Sequence, residues 1–184
     1  MVEVRFYDTV NDELLKFAVI ISQSNGKWVF CKHKERDTYE VPGGHREAGE
    51  NILETAKREL QEETGAIKFE IKPICVYSVT GKTRVNDTGE ETFGLLYFAE
   101  ITEFTKELHS EMEKVVLMDK LPENWTYPEI QPRLLEEARQ RGFLPKKDEI
   151  KWLFFDVGST LIDESRVYED RMKKIAELSG ITPQ

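Results

Sequence analysis

The sequence predicts an α/β fold in which a mixed β-sheet lies between helices. Strand-like and helical patterns alternate along the chain. The run Glu50–Thr64 is rich in helix-forming residues and contains no Gly or Pro. Asn25-Gly26 is a tight hairpin signal between two apolar runs. Together these patterns are typical of a sheet with helices packed on both faces.

The N-terminal part of the chain shows strand patterns that lead to a glycine pair. Aromatic and β-branched residues dominate four predicted strands, Val2–Tyr7, Leu15–Ser22, Lys27–His33 and Tyr39–Val41. The last of them runs into Pro42-Gly43-Gly44, which predicts a turn. Glycine backbone can adopt dihedral angles that other residues avoid, so we expect this turn to lie beside a ligand.

The first helix is predicted from Glu50 to Thr64, with Gly65 as its C-cap. At about 100° per residue, Leu53, Ala56 and Leu60 fall on one side of the helix. We therefore expect these three side chains to form its core face.

The C-terminal half of the predicted domain contains further strands and a second helix. Ile67–Thr80 and Glu91–Ile101 are predicted as long strands joined by the polar stretch Gly81–Glu90, with Val115–Met118 as a short strand. Tyr127–Arg141 has apolar residues at helical spacing and is followed by Gly142, which predicts a helix that ends there.

Three glutamates of the first helix are spaced to share one face. Glu59, Glu62 and Glu63 are related by i, i+3 and i+4, so their carboxylates gather on a face beside the core face. Clustered carboxylates repel one another unless a cation lies among them, and Mg²⁺ or Mn²⁺ suits such oxygen ligands. The alternative is a solvated acidic face with ion pairs to Lys57 and Arg58.

The surrounding residues carry a family resemblance. Gly44-x5-Glu50-x7-Arg58-Glu59-Leu60-x-Glu62-Glu63-x-Gly65 resembles the signature of the Nudix hydrolases. These enzymes cleave a nucleoside diphosphate linked to a further group. The resemblance implies a Nudix α/β/α sandwich with a mixed central sheet over residues 1–143.

The resemblance also implies roles for individual residues. Gly43, Glu59, Glu62 and Glu63 are the implied ligands of Mg²⁺ or Mn²⁺, Arg58 orients a glutamate, and Gly44 and Glu50 are implied to contact substrate or support the cluster. The family often takes a general base from a loop outside the helix. Glu111 and Glu113 are the candidates here, with Glu107 behind them; an exposed acidic loop is the open alternative.

For the substrate, the run GKWVFCKHKERDTYEVPGGHREAGE and the later LPEN resemble the MutT-like branch that includes YtkD-type nucleoside triphosphate pyrophosphohydrolases. This implies hydrolysis of (d)GTP or 8-oxo-dGTP to the monophosphate and pyrophosphate. RNA 5′-end pyrophosphohydrolysis and ADP-ribose hydrolysis remain alternatives. A non-catalytic nucleotide-sensing module is an alternative of another class, but such modules commonly lose a motif glutamate, and this chain keeps all of them.

After a predicted linker at 144–149, residues 150–184 have a different character. The run WLFFDVGSTLIDE resembles the first motif of the haloacid dehalogenase (HAD) superfamily, which implies Asp156 as a nucleophile and Thr160 as a loop-fixing residue. Gly158 stands where that motif usually has a second acid. A strand and one helix, Glu164–Leu178, are too little for that fold, so we interpret 150–184 as a truncated HAD-like fragment.

Composition limits the partners that the chain is expected to have. A net charge of −9 argues against an extended nucleic-acid surface. No stretch is apolar for long enough to predict a membrane span. Cys31 and Cys75 have no metal-ligand spacing, which favours reduced thiols and a cytoplasmic location. A nucleoside triphosphate is the expected ligand, and a homodimer is an open possibility.

Overall fold

The computed structural model describes residues 2–84, 86–105, 112–145, 170 and 173–175, with the backbone alone described for residues 112–114. The chain divides into two compact units, residues 1–146 and residues 147–184. In the second unit, Asp170 and residues 173–175 are helical. Asp156, Thr160 and the predicted strand at 150–155 lie outside the described residues, so the HAD-like segment stays a prediction.

The first unit is built on one mixed sheet of seven strands. The strands are β1 (Glu3–Tyr7), β2 (Leu15–Ser24), β3 (Lys27–His33), β4 (Gly43–His45), β5 (Ala66–Thr80), β6 (Thr92–Phe104) and β7 (Met112–Met118). Their order is β1-β5-β6-β2-β3-β7, and β4 pairs with β2. The β2–β6 pair is parallel and the others are antiparallel, so the predicted mixed sheet is confirmed.

Two helices, α1 (Ile52–Thr64) and α2 (Gln131–Gln140), cover opposite faces of this sheet. One core cluster joins α1 to Ile20 and Tyr97, and a second joins α2 to Ile21 and Leu96. Successive side chains of a strand point to opposite faces. Because the two clusters alternate along β2 and β6, one helix lies on each face, and the predicted α/β/α sandwich is confirmed.

The core face of α1 differs from the predicted one by one position. Ile52, Ala56 and Leu60 are buried, whereas Leu53 is 38% exposed. The buried residues follow a spacing of four along the helix, and Leu53 lies about 100° away from Ile52. Leu53 was therefore wrongly assigned to the core.

The glycine pair lies in a strand, so the predicted turn is wrong. β3 pairs with β2 only at Ser22–Ser24, and β4 takes over the same edge of β2 at Phe17–Val19. Between these strands Tyr39 and Glu40 make single bridges to Trp125 and Cys31 instead of the predicted strand. We call residues 40–45 the wedge segment, because they occupy the space where β3 leaves β2.

The second helix starts later than predicted. Tyr127–Ile130 forms a turn, and α2 runs only from Gln131 to Gln140. Pro132 lies in its first turn, where the missing backbone N–H removes no intrahelical hydrogen bond. The predicted stop at Gly142 agrees with a left-handed φ of 82° at that residue.

Candidate active site

Helix α1 carries the glutamates and is stabilised at both ends by its own sequence. At the N-terminus, the Asn51 side chain accepts hydrogen bonds from the N–H groups of Leu53 (3.1 Å) and Glu54 (3.0 Å). The Glu54 carboxylate accepts the N–H of Asn51 in return at 2.8 Å, which completes a capping box. Gly65 ends the helix in the left-handed conformation at φ 69°.

The two glycines of β4 allow the strand to approach α1 closely. Neither has a positive φ, so their role here is steric. A Cβ at Gly44 would overlap the carboxylate of Glu59, and a Cβ at Gly43 would lie 2.5 Å from the carbonyl oxygen of Ala18. The N–H of Gly43 donates to Glu63 Oε2 at 2.8 Å. The glycine pair thus brings the strand backbone against two of the predicted ligands.

Arg58 connects the acidic residues to one another. Its Nε donates to Glu50 Oε1 at 2.7 Å, and one terminal nitrogen donates to Glu59 Oε1 at 2.7 Å and to Glu62 Oε2 at 3.3 Å. The other terminal nitrogen donates to the carbonyl oxygen of His45 at 3.0 Å, which ties α1 to β4. Arg58 thus lies between the acidic residues, and its role in orienting a glutamate during catalysis stays a prediction.

Glu50 lies just before α1, and other residues of the protein donate hydrogen bonds to its carboxylate. It accepts hydrogen bonds from Arg58, from the Thr55 hydroxyl at 2.8 Å and from the N–H of Glu47 at 3.1 Å. The hydrogen bond from Arg58 is the main reason that the pKa of Glu50 falls to about 2. The structure therefore places Glu50 in support of Arg58, and a direct contact with substrate stays a prediction.

The three predicted metal ligands differ in burial. The Glu62 side chain is 56% exposed, whereas that of Glu59 is 13% exposed. Burial raises the pKa of Glu63 to about 8, although the hydrogen bond from Gly43 opposes this shift. Burial also raises the pKa of Glu59, against the effect of Arg58. Glu59 and Glu63 thus lie in surroundings that favour the neutral acid over the carboxylate.

The donor chemistry of this cluster suits a hard divalent ion. Glu59, Glu62 and Glu63 each keep one carboxylate oxygen to which no described residue donates a hydrogen bond. Within the described residues, no three acidic, imidazole or thiol groups converge closely enough to form a ready-made metal site. The carboxylates instead turn towards Arg58 and the Gly43 N–H, which is the expected response of like charges to the nearest positive groups.

The candidate general bases lie at the edge of the described region. Glu111, like Glu107, is outside the described residues. Glu113 lies inside strand β7, which begins at Met112 and is longer than the predicted Val115–Met118. The prediction that Glu113 stands on a loop before the strand is therefore wrong, and its role as a base stays a prediction.

A cavity of about 510 Å³ is lined in part by Glu63. Its lining includes Gly43, Gly44 and Glu63 next to α1, and Tyr77 and Gln131 on the side of α2. Further residues of its wall are Phe17, Arg36, Glu40, Thr83, Asn86, Tyr127 and Leu134. A volume of this size is typical of small-molecule sites.

Three polar residues of the cavity were not predicted from the sequence. Glu40 is 6% exposed, and burial raises the pKa of its carboxyl group while Arg36 at 3.4 Å opposes this. Gln131 and Thr83 each have a buried side-chain oxygen in the cavity wall. Positions 40, 83 and 131 are far apart in the chain and belong to no motif, so only the fold brings them together.

Comparisons with known proteins give the family of this unit. Residues 13–146 match the NUDIX domain family. Over 124 residues the chain is 36% identical to YtkD of Bacillus subtilis (strain 168), which carries a provisional designation as an 8-oxo-dGTP diphosphatase; the match spans 67% of this chain and 74% of that protein. Residues 147–184 lie beyond the family match.

Solved structures share the fold. The crystal structure of a variant of the Bacillus subtilis pyrophosphohydrolase BsRppH superposes with a TM-score of 0.63 at 29% identity, over 77% of this chain and 92% of that chain. The NUDIX domain of Shewanella oneidensis NrtR, crystallised with ADP ribose, superposes with a TM-score of 0.51 at 16% identity, over 69% and 87% of the two chains. No helix of the described residues is long and apolar enough to span a membrane.

Proposed function

The chain belongs to the Nudix hydrolases, and from this premise we propose that it hydrolyses (d)GTP or 8-oxo-dGTP to the nucleoside monophosphate and pyrophosphate with the help of Mg²⁺ or Mn²⁺. Enzymes of this family act on phosphorus-containing anhydrides and generally use divalent metal ions. The choice of a guanine nucleotide rests on the similarity to YtkD. Nucleotide-pool cleaning is the role that this activity would serve.

One observation carries the proposal. The buried carboxylate of Glu63, held by the N–H of Gly43 at 2.8 Å, lines a cavity of nucleotide size. A cation stabilises the charged form of a carboxylate in that environment. A bound triphosphate adds more negative charge, which also favours a cation at this place. Glu59 and Glu62, which lie within about one turn of Glu63 on α1, would supply additional oxygen ligands.

The mechanism uses the residues of α1 and β4 in distinct roles. Glu59, Glu62 and Glu63, with the Gly43 carbonyl, would hold the metal, and Arg58 orients Glu59 and Glu62 through its hydrogen bonds. A divalent ion held there would neutralise phosphate charge and would make a water molecule more acidic. Water then adds to phosphorus, the α–β anhydride bond breaks, and pyrophosphate leaves. The water proton passes to a carboxylate, for which Glu111 and Glu113 are the candidates.

Product analysis by chromatography tests this proposal. The purified protein is incubated with Mg²⁺ or Mn²⁺ and with dGTP, 8-oxo-dGTP, the other nucleoside triphosphates or ADP-ribose. We expect monophosphate and pyrophosphate from a guanine triphosphate, and we expect Glu62→Gln to lower turnover by several orders of magnitude. Glu123→Gln, at an exposed glutamate outside the site, is the matched control. Release of orthophosphate alone would contradict the proposed bond cleavage.

Hydrolysis of RNA 5′ ends is the second candidate function. It is favoured by the structural similarity to the pyrophosphohydrolase BsRppH at 29% identity. The net charge of −9 opposes a long nucleic-acid track but permits contact with a single 5′-terminal nucleotide. A short 5′-triphosphate RNA, assayed beside dGTP, separates the two functions by their relative kcat/KM.

A nucleotide-sensing module that binds without catalysis is the alternative from a different class of function. The chain retains Glu50, Glu59, Glu62 and Glu63 of the motif. Retention of the complete carboxylate set favours catalysis over binding alone. Tight binding of a nucleotide in the presence of Mg²⁺ without any turnover would support the sensor instead.

A further inference from the structure

Two buried side-chain oxygens lack a hydrogen-bond partner in the part of the chain that the structure describes, and both belong to residues that line the same cavity. They are Gln131 Oε1 and Thr83 Oγ1. Buried polar atoms are almost always paired, because an unpaired one costs about 1–3 kcal/mol. We propose that Gln131 and Thr83, together with the Glu40 carboxylate, bind the edge of a guanine base, and that Gln131 is a specificity-determining residue. This inference rests on the proposed nucleotide hydrolysis and assigns its base-reading groups.

Gln131 lines the cavity from the start of α2. It is the first residue of α2 and is 5% exposed. Its backbone N–H donates to the carbonyl oxygen of Tyr127 at 3.0 Å, and the following residues Leu134 and Leu135 are anchored in the core at 1% exposure. An unpaired amide oxygen at a position fixed by its neighbours favours a ligand group over a structural partner within the protein.

Three groups of this wall can accept hydrogen bonds, while Lys16 and Arg46 line the same cavity as donors. Glu40 offers a carboxylate, Gln131 offers the amide oxygen, and the hydroxyl of Thr83 can accept or donate. Arg36 contacts one Glu40 oxygen at 3.4 Å, and Thr126 also hydrogen-bonds this carboxylate. The three acceptors together are complementary to a base edge that carries several donors.

Guanine fits this requirement better than the other bases. Its Watson–Crick edge presents the N1–H and the exocyclic N2 amino group side by side, whereas adenine and cytosine each present one amino group and uracil one ring N–H. A carboxylate can accept both guanine donors together. The amide of Gln131 can pair with a further donor or, through its nitrogen, with the O6 atom.

The remaining wall offers an apolar surface for the face of the base. The half-buried ring of Phe17 and the ring of Tyr77 both line the cavity, with centroids 5.6 Å apart. Gly94 permits this arrangement, because a Cβ at that position would overlap the Phe17 ring. Since Gly43 and Glu63 line the same cavity, a base bound at Gln131 has its phosphates on the side of the carboxylates.

Selectivity kinetics on the full chain test the inference. Gln131→Leu removes the amide while keeping similar volume, and Gln140→Leu, at an exposed glutamine of the same helix, is the matched control. We expect Gln131→Leu to raise KM for dGTP about tenfold or more, consistent with loss of a hydrogen bond to a buried group, while kcat and the KM for dATP change little. Gln140→Leu should behave as the unmodified chain. Thr83→Val is a second variant, for which we expect a smaller change in the same direction.

The result separates the inference from the proposed function. If the unmodified chain hydrolyses dGTP but Gln131→Leu keeps the same preference for dGTP over dATP, the inference is overturned and the proposed function stands. If the chain hydrolyses no nucleotide, titration calorimetry with dGMP and dAMP replaces the kinetics. Preferential binding of dGMP that is lost in Gln131→Leu then supports the inference, and equal binding of dGMP by both proteins overturns it.

Discussion

Glu62 and Glu63 are adjacent in the chain, yet their carboxylates lie in opposite environments. Glu62 points towards solvent, whereas burial raises the pKa of Glu63 to about 8. A buried carboxylate without a cation destabilises the fold when it is charged. Glu63, one of the proposed metal ligands, is therefore expected to lower the stability of the metal-free protein when it is charged.

This difference predicts a pH-dependent stability for the metal-free protein. The folded-state pKa of Glu63 is about 8, whereas the ordinary value for a glutamate is 4.5, so the folded state binds more protons than the unfolded chain between these two pH values. The free energy of unfolding should fall as pH rises from about 4.5 to about 8. Glu63→Gln should remove this fall and raise the Tm at pH 8 by a few degrees, while abolishing turnover.

Thermal unfolding in EDTA over this pH range, with Glu62→Gln as control, measures the effect. The control removes a neighbouring charge that is largely exposed, so its Tm profile should follow that of the unmodified protein. Parallel profiles for Glu63→Gln and the unmodified protein would rule out a charged, uncompensated Glu63 in the fold.

Arg58 predicts a second residue-scale effect. Its planar guanidinium reaches Glu50, Glu59, Glu62 and the His45 carbonyl at once, and an ammonium group cannot reproduce this fork. We expect Arg58→Lys to destabilise the protein by about 2 kcal/mol and to lower kcat by about a hundredfold through misplaced carboxylates. Urea unfolding and steady-state kinetics measure both, and Lys57→Gln is the control on the same helix. Unchanged kcat in Arg58→Lys would show that the glutamates need no such orientation.

At the scale of elements, the site depends on how closely β4 approaches α1. Two adjacent glycines permit this approach for different reasons. A Cβ at position 43 would clash with the backbone of Ala18 and Val19 in the neighbouring strand, whereas a Cβ at position 44 would clash with the end of the Glu59 side chain. Backbone cannot move aside without breaking strand pairing, whereas a carboxylate can rotate.

The two alanine substitutions should therefore have separable effects. Gly43→Ala should disturb the pairing of β2 with β4 and destabilise the protein by about 2 kcal/mol. Gly44→Ala should leave the Tm nearly unchanged but lower kcat, because the displaced Glu59 carboxylate loses its place beside the metal. Differential scanning fluorimetry and product assays on both variants test the contrast. Equal losses of stability in the two variants would contradict it.

Local sequence was sufficient to predict helix α1 but insufficient for the wedge segment. Asn51, Glu54 and Gly65 act on neighbouring residues, so the helix ends can be predicted from short-range chemistry. The sequence around Gly43-Gly44 favours a turn when only neighbouring residues are considered. Pairing with β2 nevertheless places both glycines in a strand. Tertiary contacts overrode local preference at this point.

At the scale of the whole molecule, the family match and the compact first unit end at the same residue, Lys146. Every described site residue lies before it. We therefore expect deletion of Asp148–Gln184 to leave the kcat for nucleotide hydrolysis within about twofold, as for surface changes remote from a site. A kinetic comparison of the full and shortened chains measures this. Loss of soluble expression in the shortened chain would show that residues 148–184 stabilise the Nudix unit or a dimer.

The acidic cluster of α1 was easier to predict than the polar residues of the cavity. Glu59, Glu62 and Glu63 lie within one helical turn, so a repeating spacing identifies them. Glu40, Thr83 and Gln131 come from the wedge segment, a loop and a second helix. Their proximity depends on sheet order and on the placement of α2, neither of which can be inferred from spacing along the chain.

The wedge segment lies between two helices that rest on separate core clusters. Glu63 belongs to α1 on one face of the sheet, and Gln131 belongs to α2 on the other. Substitutions in α2 can therefore accumulate without disturbing the packing that positions the glutamates. In directed evolution, the first turn of α2 and the loop that contains Thr83 can therefore be randomised together. A new nucleotide preference can then be selected while bond cleavage is retained.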